Sequence, residues 1–223
     1  ETLNLIKKTI NNNQSKKIIY KDHFNYSLSE NGFIYYEDKY GGLKIPKPGM
    51  SGQFQLENAS TAIASLRILE NLKIKDEQIV KGIKNAYNSA RLEEIKSGKL
   101  KDLVKNNRLI IDSSHNPGGS KAINEYLQTL NCNKHVIVGM MENKDHEKFI
   151  NYFKNISSLT VIDIPNQANA ISGKKLKEKF KKFKNLNYVK NIEQALKALQ
   201  LEKNDIILIT GSIYLAGEVL NLN

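Results

Sequence analysis

From residue 108 onward, short apolar runs alternate with amphipathic stretches, and this rhythm constrains the fold more than any other feature of the sequence. The runs are RLIID (108–112), HVIVGM (135–140), LTVIDI (159–164), NYVK (187–190) and DIILIT (205–210). Between them lie KAINEYLQTL, HEKFINYFKNI, KKLKEKFKKF and IEQALKALQ, and IYLAGEVLNL follows the last. A run that is apolar on successive residues suits a strand covered on both faces, and parallel strands are joined by the helices that cover them. The pattern predicts an α/β domain built on a mainly parallel, Rossmann-like sheet. Pro117 suits the first turn of one helix, and Asn191 with Gln194 suits the start of another. Ligands of such sheets bind beyond the C-terminal ends of the strands. That rule selects the loops after Asp112, Met140, Ile164 and Thr210.

The preceding residues follow a different plan, and the two regions meet near residues 88–91. Leu3, Ile6 and Ile10 recur at helical spacing, and Lys16–Tyr20 reads as a short strand. FNYSLSENGFIYYED alternates around Asn31-Gly32, a hairpin signal. Pro46, Pro48 and Gly49 then interrupt the chain before a long helix expected over Gln53–Leu72 and a second over Asp76–Tyr87. The chain opens on Glu1 with an amphipathic stretch and no Met, as a fragment would.

Composition removes several function classes. No apolar run approaches the roughly 20 residues needed to cross a bilayer. One cysteine, Cys132, rules out an internal disulfide and Cys-rich zinc modules and is compatible with a reducing cytoplasm, so a cytoplasmic protein is expected. The net charge of +11 invites a polyanionic partner. The lysines are nonetheless spread along the chain, and the densest group, Lys174–Lys184, fits the solvated face of a helix with Leu176, Phe180 and Phe183 on its other side. No nucleic-acid-binding signature accompanies the charge. His23, His135 and His146 are too scattered for metal-ligand spacing. GxSxG, GxGxxG and the phosphate loop GxxxxGK[ST] are all missing from these residues.

The most informative segment is IIDSSHNPGG, residues 110–119, a turn between a buried strand and a helix. Backbone amides and the helix dipole favour an anion there. Asp112 at the strand end can accept from ribose hydroxyls, and His115 can donate to a phosphate or carboxylate or move a proton. The competing reading is helix capping by Asp112 and Asn116 beside a surface histidine. Arg91 can bridge phosphates, or simply pair with Glu93 or Glu94 on the surface. Asn58, near the start of the long helix, can meet an adenine edge or be an ordinary polar residue at a helix start, the better reading in isolation. Gly211 and Ser212 can present amides and a hydroxyl at the active edge of the sheet, though a small-residue turn explains them equally well, and Lys144 and Asp145 follow another strand, where Asp145 can cap a helix.

Taken in order, GQFQLENASTAIASL, SARLEEI, IIDSSHNPGG, VGMMENKD and ILITGSIYLAGEVL resemble the folylpolyglutamate synthase and dihydrofolate synthase family of the Mur ligase superfamily. The resemblance covers the C-terminal half of that family and essentially the whole of this chain. It implies that residues 1–90 are the C-terminal part of a central ATPase domain and that 91–223 form the Rossmann-like C-terminal domain. It implies ATP and Mg2+ as cofactors, with the metal ligands outside this chain. Asn58 would contact adenine, Arg91 the phosphates and Asp112 the ribose; His115, as the catalytic candidate, and Ser212 would lie at the glutamate end of the cleft. Folate and L-glutamate are the implied substrates, a monomer the expected state, and neither membrane nor nucleic acid an expected partner. Phe54 stands where the family usually has His, and Ser113-Ser114 replace its usual small pair. By itself the chain is expected to be inactive. A cell-wall precursor ligase, or a non-catalytic nucleotide- or nucleic-acid-binding α/β protein, are the other readings; the choice between dihydropteroate and folate as acceptor stays open.

Overall fold

The computed structural model describes residues 2–13, 16–69 and 71–223, and the chain divides into two compact units. Glu1 and the Leu3 side chain lie outside the described residues. One unit takes residues up to Gly49 and Phe54–Tyr87; the other takes Met50–Gln53 and Asn88–Asn223.

The first unit comprises α1 (Thr2–Asn12), β1 (Phe24–Leu28), β2 (Ile34–Asp38), β3 (Gly41–Ile45), α2 (Phe54–Arg67) and α3 (Asp76–Asn85). Its strands form an antiparallel meander in the order β1-β2-β3. The β1–β2 turn falls at Asn31-Gly32, where Gly32 takes φ 78°, a conformation that costs glycine little. Alternation along β2 buries Ile34 and Tyr36. These pack with Phe24, Ile45, Leu56, Ile63, Ile79 and Ile83 from the other strands and helices. Arg67 ties the unit together. Its guanidinium bonds Asp38 at 3.0 Å, the Gly41 carbonyl at 2.9 Å and Asp76 at 2.9 Å. The Tyr36 hydroxyl donates to the other Asp38 oxygen at 2.8 Å, and burial first, then this carboxylate, raise the tyrosine pKa.

Two expectations fail in this unit. Lys16–Tyr20 forms no strand; Tyr20 makes a single bridge to Phe24. The chain doubles back at once, with Lys21 at φ 70° and His23 N–H donating to Ile19 O, so backbone pairing stops at that one bridge while the Tyr20 ring stacks on Tyr26 at 5.2 Å. The long helix ends at Arg67 rather than Leu72, and the chain beyond it turns through i→i+3 bonds from Leu69 to Leu66 and from Leu72 to Leu69.

The second unit contains β4 (Glu93–Ile95), α4 (Lys99–Leu103), β5 (Arg108–Ile111), α5 (Pro117–Gln128), β6 (Lys134–Val138), α6 (His146–Asn151), β7 (Ser158–Ile162), α7 (Gly173–Lys179), β8 (Leu186–Val189), α8 (Ile192–Ala198), β9 (Ile206–Thr210) and α9 (Ile213–Leu222). The sheet order is β4-β5-β9-β6-β7-β8, parallel throughout except for the antiparallel edge strand β4. Strands β6 and β9 are buried at every position, as a central parallel strand covered on both faces should be. Ile137, Ile207 and Ile209 pack with Leu100, Leu196, Leu215 and Val219 of the helices. Pro117 opens α5, Asn191 caps α8 through Gln194 N–H, and Leu176 and Phe180 are the buried side of the lysine-rich α7. Helix α4 and strand β4 have little signal of their own. Leu100 is the sole buried residue of α4, and its first amides are capped by the Asn223 side chain, which accepts from Leu100 and Lys101 and donates to Ser97 O.

At the starts of the strands, His135 lies between Ser158 Oγ, 2.8 Å from Nδ1, and Asp205 Oδ2, 3.1 Å from Nε2. Asp205 also accepts from Glu202 N–H. This buried chain of bonds joins the beginnings of β6, β7 and β9 at the edge opposite the cleft described next.

Candidate functional site

Strand β9 lies between β5 and β6; the helices that follow those neighbours, α5 and α6, pack against each other, whereas α9, which follows β9, packs with α4, so the connections part at β9. Such a switch point leaves a crevice beyond the C-terminal strand ends. A cleft of about 450 Å3 occupies that position, lined by His115 after β5, Met141–Lys144 after β6, Asn169 after β7, and Ser212, Ile213 and Tyr214 after β9. The four loops chosen from the sequence all contribute to it.

His115 is half-buried, and its Nδ1 lies 3.1 Å from Ser113 O. A carbonyl only accepts, so Nδ1 carries the proton. In the neutral ring Nε2 is then an acceptor, and it donates only once the ring is protonated. Ser212 is buried and caps α9, its Oγ accepting from Tyr214 N–H at 3.1 Å. Just before it, Gly211 has φ 108°, and a Cβ there would lie 2.6 Å from Gly139 O, so the strand-to-helix turn needs glycine on both counts. Gly211 N–H donates to Ser114 O at 3.0 Å, bringing the β9 turn against the β5 turn and His115 and Ser212 into one cleft.

Asp112 has a role that the sequence did not disclose. Its carboxylate is buried; one oxygen accepts from Leu92 N–H at 2.9 Å and the other from Ser114 N–H at 2.8 Å. Ser113 N–H in turn donates to Ala90 O. This clasp holds Ala90 at φ 55° and Leu92 at φ 47°, left-handed conformations that side-chain-bearing residues resist. The exposed Arg91 sits at the apex between them. Asp112 does not cap α5; Asn116 does, accepting from Gly119 N–H at 2.8 Å. Glu94, an alternative partner for Arg91, is taken by Arg108 at 2.9 Å, and Glu93 accepts from Ala90 N–H. Asn58 belongs to the first unit, exposed on α2, with its amide donating to Gln55 Oε1. The structure thus brings His115 and Ser212 together in one cleft, joins Arg91 to Asp112 through the backbone, and places Asn58 in the other unit.

Glu142, Asn143, Asn169 and Tyr214 also line the cleft and were not singled out from the sequence. Asn169 is there because its segment is stitched to the β6 loop: Glu142 N–H donates to Asn169 O at 2.9 Å and Ile171 N–H to Met140 O at 3.1 Å. Asp145 caps α6 by accepting from Lys148 N–H, a bond that, with Lys148 itself, lowers its pKa. Among the described residues no group of three or more His, Cys, Asp and Glu side chains could hold a metal ion, and no helix is long and apolar enough to cross a membrane.

The family model for the glutamate ligase domain of Mur ligases matches residues 90–213. The chain belongs to this family. Three solved structures extend the likeness in fold over both units. E. coli FolC in complex with ADP is 22% identical with a TM-score of 0.78, covering 97% of this chain and 50% of its own. Mycobacterium tuberculosis folylpolyglutamate synthase, complexed with ADP and AMPPCP, is 18% identical with a TM-score of 0.81, covering 99% and 52%. Thermotoga maritima folylpolyglutamate synthase is 22% identical with a TM-score of 0.69, covering 98% and 51%. This Mur ligase chain therefore spans about half the length of the structures it is similar to. No curated protein matched.

Proposed function

We propose that this Mur ligase chain serves an ATP-dependent ligase that joins L-glutamate to a folate. The observation that carries the reading is the cleft at the switch point of a glutamate ligase domain, where His115, Ser212, Glu142 and Lys144 meet. A free amino acid carries both charges. Lys144 can attract a carboxylate, Glu142 can hold the ammonium group, and the α9 N-terminus favours a further negative charge. The unprotonated Nε2 of His115 can take a proton from the amine as it becomes a nucleophile.

In this reading residues 1–90 belong to the ATP-binding portion of the ligase and 91–223 form its C-terminal domain. Asn58 contacts adenine and Arg91 the phosphates, Arg91 being presented by the Asp112 clasp. Asp112 reaches the ribose only if its carboxylate accepts hydroxyls beyond its two amides, for which four lone-pair directions leave room. ATP would phosphorylate the folate carboxylate, and the glutamate amine would displace phosphate from the acyl phosphate to form the amide. In this chemistry the chain's own residues bind, orient and accept a proton.

The test is ADP release by the intact gene product with ATP and Mg2+. Release that requires both a folate and L-glutamate supports the proposal, and His115→Ala should lower it at least 100-fold. Release that follows a cell-wall precursor instead, or salt-sensitive nucleic-acid binding with no folate-dependent release, overturns it. The 223-residue chain assayed alone is expected to show little or no turnover.

A further inference from the structure

Three features of the second unit lie outside the roles assigned so far: the His135 chain of bonds at the strand starts, the capping of α4 by Asn223, and His146 behind the cleft. The third carries an inference. His146 is the first residue of α6 and is 6% exposed, yet it lines no part of the cleft. Its Nε2 lies 2.9 Å from Met141 O, and its backbone N–H donates to Lys144 O at 3.0 Å. One residue therefore bonds both ends of the segment Met141–Lys144, the part of the β6 loop that faces the cleft.

The backbone geometry explains why a side chain is needed there. Met141 pairs with Ala170 in an antiparallel bridge whose bonds run through the flanking residues, Ile171 N–H to Met140 O and Glu142 N–H to Asn169 O. In such a pair the central residue directs its own carbonyl away from the opposite segment. Met141 O then needs a donor from the other side. Because that oxygen only accepts, His146 Nε2 bears the proton, and the ring acts as a fixed donor. Asp145 anchors the same corner by capping α6.

We infer that His146 is a positioning residue which, through its ring bond to the Met141 carbonyl and its amide bond to the Lys144 carbonyl, sets the spacing of Glu142 and Lys144 across the cleft. Its effect on glutamate use rests on the function proposed above; its effect on the loop does not.

The two effects are tested separately. In the 223-residue chain, His146→Ala should speed hydrogen exchange at the Glu142 and His146 amides by about tenfold, the factor expected for loss of one hydrogen bond of ordinary net strength. Exchange in β5 and β9 should be unchanged. His146→Gln, which can place an N–H near the position of Nε2, should recover most of the protection. Unchanged exchange at Glu142 and His146 overturns the inference, as does a uniform rise throughout the second unit, the mark of a merely structural role. In the intact ligase, His146→Ala should raise KM for L-glutamate several-fold with KM for ATP unchanged, and His146→Gln should restore it. An unchanged KM for glutamate in an active enzyme overturns the link from loop to substrate. If wild-type turnover proves independent of glutamate, the proposed function fails while the exchange result still decides the loop.

Discussion

The two units treat apolar surface differently. In the first, Leu5, Ile6, Leu28, Tyr35, Tyr40, Leu69, Leu72 and Tyr87 stand exposed around a core of one meander and its helices. In the larger second unit, the large apolar side chains exposed among the described residues are Tyr152, Ile213, Tyr214 and Leu220, and two of these border the cleft. A small unit buries a smaller share of its surface than a large one. The first unit compensates with polar ties, a guanidinium bonded to two carboxylates and a carbonyl. The second relies on strands buried along their whole length. The first unit thus supplements a small apolar core with directional bonds, and the second packs a larger one.

Substitutions can break or sharpen that contrast. The largest effect is expected from Ile137→Ala in the middle of β6, where a fully buried isoleucine would leave a cavity and cost about 4 kcal/mol. Denaturation followed residue by residue should show the loss in the second unit; an equal shift in β1–β3 would mean that the units unfold as one. Next comes Arg67→Ala, which strands the buried Asp38 carboxylate and should cost about 3 kcal/mol in the first unit. If Arg67→Met is tolerated as well as the wild type, packing rather than the ion pairs holds that unit, and the contrast fails. The smallest effect is a gain. Ala90→Gly relieves a left-handed residue and should stabilise the second unit by up to about 1 kcal/mol, read as a higher midpoint in urea. A loss there would show that the alanine methyl, which is buried, matters more than the backbone conformation.

Much of this was legible in advance where the signal is local. Strands β5, β6, β7 and β9 lie within a residue or two of their apolar runs, because a strand buried on both faces needs apolar residues in succession. Strand β4 was not, since two of its three residues are glutamates and Ile95 alone is buried. Helix α4 was missed because its cap is supplied by Asn223, far along the chain. The false strand at Lys16–Tyr20 shows the reverse error, a suitable composition whose pairing with β1 stops at the single Tyr20–Phe24 bridge because the chain turns back at Lys21. Likewise the loops that form the cleft followed from strand ends, whereas the Asp112 clasp, the stitching of Asn169 to Glu142 and the hold of His146 on Met141 depend on bonds between distant or turned segments. Residue type and spacing carry no record of these.

The position of β9 has a consequence for how the molecule comes into being. A ribosome delivers β5, β6, β7 and β8 before Ile206–Thr210, yet the last strand to emerge fills the middle slot and bonds both β5 and β6. Until it arrives, the nascent second unit holds two open strand edges facing a gap, the kind of surface that recruits foreign strands. Its sheet cannot close during synthesis of the earlier strands, so a product cut short before residue 206 would keep both edges open, however well the rest had paired.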